Sequence, residues 1–132
     1  MIDFSNEIFN AVAVDLRSLY PGIRVVGEYV SLPTKFPTVT IDEIRNIPEH
    51  LDSAGHNKYA RLIYRIQVFS NEEGRKRAHA REIYGTADRK MQSMGFFCKT
   101  FTTTPEVYNA EVYSITATYE AVVDRNGVVY RD

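Results

Sequence analysis

Three histidines, one cysteine and a carboxylate-bearing loop are the residues of this 132-residue chain whose types could do chemistry. His50 and His56 stand with Glu49 and Asp52 in the stretch Pro48–Lys58, and His79 lies further on. A structural zinc site wants three or four converging nitrogen or sulfur ligands at close spacing. Two histidines six residues apart, with a single cysteine in the whole chain, do not meet that pattern. The stretch therefore reads as a polar loop, and no metal is expected. Cys98 falls in an alternating run with Phe96, while Lys99 points to the opposite face. A nucleophilic cysteine needs a neighbouring histidine and an electropositive setting. Without them the default is a small buried hydrophobe. The seven glycines are scattered and form no phosphate-cradling loop. These residues point away from catalysis, and no cofactor is expected.

The cations fall into two sets. Arg75, Lys76, Arg77, His79 and Arg81 spread around a helical wheel and are interrupted by Glu72, Glu73, Glu82 and Asp88, which is the pattern of a solvated helix surface. Arg61 and Arg65 instead share one face of an alternating strand with Tyr59, Ile63, Gln67 and Phe69. Arginines interleaved with aromatic and aliphatic residues suit a subunit interface. The same set could stack single-stranded bases, as in an RNA-binding sheet. The formal net charge of -1 supplies no long-range attraction for phosphate and favours the interface. His50, Asp52 and His56, in a loop longer than a simple hairpin turn, join Tyr59, Arg61, Ile63, Arg65 and Phe69 as expected partner-facing residues.

The elements that must position these residues follow from periodicity. Ser5–Tyr20 repeats apolar residues at helical spacing (Ile8, Phe9, Val12, Ala13, Leu16, Leu19), with Ser5 as the expected N-cap and Pro21-Gly22 as the stop. A short strand is expected at Ile23–Val30 and a second at Thr38–Ile47, ended by Pro48. Tyr59–Phe69 is the third strand, with Ala60, Leu62, Tyr64, Ile66 and Val68 on its core face. Glu72–Met94 then switches to a helical stripe of Ala80, Ile83, Tyr84, Ala87, Met91 and Met94, stopped by Gly95. Phe96–Thr103 and Val107–Val123 form a hairpin, and Val128–Tyr130 folds back as a short strand or arm after the turn Asp124–Gly127. The expected architecture is one α+β domain over residues 1–132. It has a mainly antiparallel sheet of four to five strands in the order 1-2-3-5-4, with two helices packed on one face.

Composition narrows the class further. Hydrophobic residues at 44% and charged residues at 25% are ordinary globular values. The start of the chain shows no basic segment followed by an apolar run, so no secretory signal is expected. No window approaches the roughly 18 consecutive apolar residues of a membrane helix. Nine tyrosines and seven phenylalanines without a tryptophan favour half-wet contact surfaces.

Several stretches together carry a family resemblance. They are the helix Ile8–Leu19 closed by Pro21-Gly22, the strand entry Phe36-Pro37-Thr38-Val39-Thr40-Ile41, the strand Tyr59–Phe69 running into Ser70-Asn71-Glu72-Glu73 and a long helix, and the late strand Tyr113–Tyr119. In this layout the chain resembles the tail-terminator, or tail-completion, proteins that join tail to head in long-tailed bacteriophages and phage-derived elements. The resemblance implies a non-enzymatic structural protein of the virion tail or neck, assembled in the bacterial host cytoplasm. It implies a ring, commonly a hexamer, whose partners are copies of itself, the tail tube protein and the head-tail connector. A small α+β binding module that uses the Arg61/Arg65 face for a ligand or RNA is the competing reading.

Overall fold

The computed structural model describes residues 2–51, 57–105, 111–127 and 129–130. In chain order they form α1 (Ser5–Leu19), β1 (Arg24–Val26), β2 (Thr38–Leu51), β3 (Asn57–Ser70), α2 (Lys76–Ser93), β4 (Phe97–Pro105), β5 (Tyr113–Asp124) and β6 (Val129–Tyr130). One sheet runs β1-β2-β3-β5-β4, with β6 paired to β5. All pairings are antiparallel except β1 with β2. The fold is α+β in the strand order expected from the sequence.

Strict alternation builds the sheet's core face. Ala60, Leu62, Tyr64, Ile66 and Val68 of β3 are all buried, and the register sets them opposite Val123, Ala121, Tyr119, Ala117 and Ile115 of β5, buried in turn. Val39 and Ile41 of β2 continue the same layer across the sheet. The helices cover this layer. α1 contributes Ile8, Val12, Ala13 and Leu16, and α2 contributes Ala80, Ile83, Ala87 and Met91, one stripe each at helical spacing. Tyr20 and Thr86 join their hydroxyls at 3.3 Å where the two helices meet.

Several boundaries differ from the periodicity, each for a local reason. Ser5 is the first residue of α1, with Phe4 at the cap position; the Asp3 carboxylate accepts from the Ser5 N–H at 3.0 Å and from its hydroxyl at 2.7 Å. α2 begins at Lys76, because Gly74 at φ +76° takes the chain through a turn that an L side chain would resist. Ser70 accepts the Glu72 N–H inside that turn at 3.3 Å. Pro48 does not end β2, which continues to Leu51 with Pro48 opposite Ala60. β1 reaches only as far as Thr40 of β2, so among the described residues Pro48 sits on a free edge, where a proline is tolerated. The expected long loop is consequently shortened by the two strands growing toward one another. Cys98 is exposed rather than buried, because β4 is the outermost strand on its side.

Candidate assembly face

The sheet face opposite the helices is built from the other set of alternating residues, and its two ends differ. At one end the chain covers itself. Gln67 on β3 accepts from the Val30 N–H at 3.2 Å and from the Thr40 hydroxyl at 2.8 Å, and its amide nitrogen donates to the Val30 carbonyl at 3.2 Å. One side chain thus pins the segment between β1 and β2 across the sheet. Thr38, Thr40 and Gln67 are buried at this end, and Phe69 is only 2% exposed. The Arg65 guanidinium lies 4.5 Å from the Tyr29 ring centroid, and its other partner is Asp42, at 2.7 and 3.3 Å.

At the other end the face is open and charged. Arg61 donates to Glu49 on β2 at 2.7 and 3.4 Å and lies 3.4 Å from Glu120 on β5. Glu120 in turn lies 3.7 Å from Lys99 on β4. The hydrogen bond that it donates to Glu49 holds the Arg61 guanidinium above its ordinary range, so it stays charged. Half-buried Ile47, Ile63 and Val122 fill the space between the charges. Ile44 (39% exposed) and Phe97 (46% exposed) stand at the margins.

Of the residues expected to face a partner, Tyr59, Arg61, Ile63 and Arg65 lie together in one row of β3. Phe69 belongs to the same row but is sealed beneath the chain's own cover. His50 lies in β2, where its backbone alone is described; Asp52 and His56 fall outside the described residues. The sequence reading missed the carboxylates that answer each arginine. Glu49, Asp42 and Glu120 are remote in sequence and become neighbours only once the strand register is known. So paired, neither Arg61 nor Arg65 offers the uncompensated positive charge that a nucleic-acid backbone selects.

Other polar side chains tie elements together. The Tyr119 hydroxyl donates to Asp88 at 2.5 Å and meets the Tyr84 hydroxyl at 2.6 Å, a part-buried network tying β5 to α2. Burial pushes both tyrosines well above the ordinary range, which makes them poor nucleophiles or bases. The Cys98 thiol, 3.8 Å from Tyr84, donates to the Thr100 carbonyl. His79 bonds Ser70 at 2.7 Å and lies 3.1 Å from Glu72, fastening the start of α2 to the end of β3. Among the described residues, no group of three or more His, Cys, Asp or Glu is placed to hold a metal ion.

Comparison with known proteins adds one finding. No protein-family model matches the chain. No curated protein matches it in sequence. A solved chain from the "virion of native gene transfer agent (GTA) particle" superposes with a TM-score of 0.61, covering 91% of each chain at 15% sequence identity. The two chains share a fold. With 91% of each chain covered, the likeness is one of most of the chain rather than of an isolated supersecondary unit.

Proposed function

We propose that the chain is a non-enzymatic structural subunit of a phage or phage-like virion. The observation that carries this is the shared fold with a virion chain over 91% of both lengths. The open end of the outer face agrees with it. Exposed apolar residues among paired charges make a surface that gains by being covered, and a neighbouring subunit or tube protein would cover it. Within that class we assign the chain to the end of the tail tube. There it forms a ring, commonly of six copies, and joins the tube to the head-tail connector in the tail or neck. Assembly takes place in the host cytoplasm. The competing role, a ligand or single-stranded RNA module on the Arg61/Arg65 face, is disfavoured because carboxylates already occupy both guanidinium groups.

The test is to image the purified chain by negative stain, alone and with the tube protein of the same element, and to measure its mass by sedimentation. Rings, or caps at tube ends, are expected. A strict monomer at high concentration that also ignores the tube protein would overturn the assignment.

A further inference from the structure

The charged row on the outer face is an open chain with unlike ends. Glu49 on β2, Arg61 on β3, Glu120 on β5 and Lys99 on β4 alternate in sign across neighbouring strands, at successive separations of 2.7, 3.4 and 3.7 Å. The row starts on an anion at one side of the sheet and stops on a cation at the other. Among the described residues, both of these strands present free edges. β1 covers β2 only at Thr38–Thr40, well short of Glu49, and β4 pairs with β5 alone among the described residues. Exposed apolar surface follows the same division. Among the described residues, every large hydrophobic that the sheet strands leave exposed lies on one of these two: Ile44 on β2, Phe97 and Phe101 on β4.

We propose that these two edges are the halves of one interface. The β4 edge of one copy meets the β2 edge of the next, with Lys99 set against Glu49 of that next copy. This rests on the assembly reading above and names the surface that would join neighbouring subunits. Charge complementarity selects a second copy as the occupant, because joining the edges continues the alternation without a break. Orientation agrees. β2 and β5 both run antiparallel to β3, and β4 runs antiparallel to β5, so a copy placed alongside in the same sense offers an antiparallel edge. The contact joins two different patches, so it repeats from copy to copy and closes only as a ring. The charged row crosses the sheet diagonally, which fits a staggered closure of tilted strands. Pro48 and the register shifts at Glu43/Arg45 and Cys98/Thr100 interrupt both edges. Long backbone pairing is thereby restricted, and the side chains are left to choose the partner and the register.

Cys98 provides the test, since it is the only cysteine and is exposed beside Lys99 on the β4 edge. Cysteines are introduced singly at the positions flanking Glu49, as Pro48→Cys and as His50→Cys, and treated with a short thiol-to-thiol cross-linker. The expected result is a covalent series of dimers, trimers and higher species, because each copy links to the next. A cysteine on α1, Val14→Cys, should give no such series. Lys99→Glu should lower the cross-linked yield at least tenfold, while Lys99→Arg retains it; circular dichroism checks that both fold. Should the protein assemble by sedimentation while both β2 cysteines stop at dimers or fail to link, the edges do not meet. The interface would then be overturned and the assembly reading would stand. Failure of the wild-type chain to assemble at all would overturn both.

Discussion

β3 carries two chemistries in one strand. Its even-numbered residues from Ala60 to Val68 face the helices and are sealed, while its odd-numbered residues from Tyr59 to Arg65 face away and remain half-exposed. The first set is held by dispersion and by exclusion of water, which reward any well-packed apolar group. The second is held by ion pairs at partly wet positions, which contribute little to stability but fix which charge meets which. Folding is therefore decided on one face. The other face, closed at its Gln67 end, keeps a patterned and half-exposed surface elsewhere.

The sharpest way to break this comparison is to truncate adjacent residues of the strand. Leu62→Ala removes a fully buried side chain from between the helices and β5, and should cost about 2–5 kcal/mol. Ile63→Ala, one residue along on the half-exposed face, should cost roughly 1 kcal/mol. Urea unfolding of the two variants measures both, and equal losses would erase the distinction between the faces. Next in size is Tyr119→Phe, which takes a hydroxyl from a part-buried network and leaves Asp88 and Tyr84 each short of one partner. It should cost about 1–3 kcal/mol in the same assay. A neutral result would mean that water replaces the hydroxyl and that the β5–α2 seam is wetter than its burial implies.

On the outer face the expected effects on stability are smaller. Arg61→Ala should cost about 1 kcal/mol or less, since its pairs with Glu49 and Glu120 are partly solvated. The difference from wild type should shrink in high salt. A loss as large as that of Leu62→Ala would show that the charged row is part of the folding core. Reversal of charge is a poorer probe. A glutamate at position 61 would stand against Glu49 and Glu120, and one at position 65 against Asp42. It would strain the monomer along with any assembly.

Much of this fold was legible because period and face coincide. Alternation in β3 and β5 and the helical stripes of α1 and α2 located the core. The strand order followed from the hairpin and the single long helix between β3 and β4. What escaped the sequence depends on register or on three-dimensional edges. Pro48 looks like a strand end until β1 is seen to stop at Thr40. Cys98 looks buried until β4 is seen to be outermost. Arg61 and Arg65 look available until Glu49, Glu120 and Asp42 arrive from other strands. Phe69 looks exposed until Gln67 is seen to pin the Val30 segment near it, an interaction between residues 37 apart that no local pattern announces.

The smallest predicted effect concerns Glu43, a β2 carboxylate that register turns toward the helix-covered face. Register places it opposite Tyr64, just before the strand shift between Glu43 and Arg45. Glu43 Oε1 and the Tyr64 hydroxyl are buried without a hydrogen-bond partner among the described residues. Burial raises the Glu43 carboxyl above its ordinary value of 4.5, and the charge of Asp3 adds to the shift, while the nearby Tyr64 hydroxyl opposes it too weakly to cancel it. A carboxyl with a raised folded-state pKa binds protons more readily in the native than in the unfolded chain. Its contribution is therefore neutral below the unfolded value and increasingly unfavourable as pH rises through the folded one. Glu43→Gln removes the charge and should flatten that slope. Urea midpoints of wild type and variant should approach one another in acid and separate toward neutral pH, with the variant the more stable. Parallel curves would show that Glu43 reaches water and that the core face is not sealed at its shifted edge.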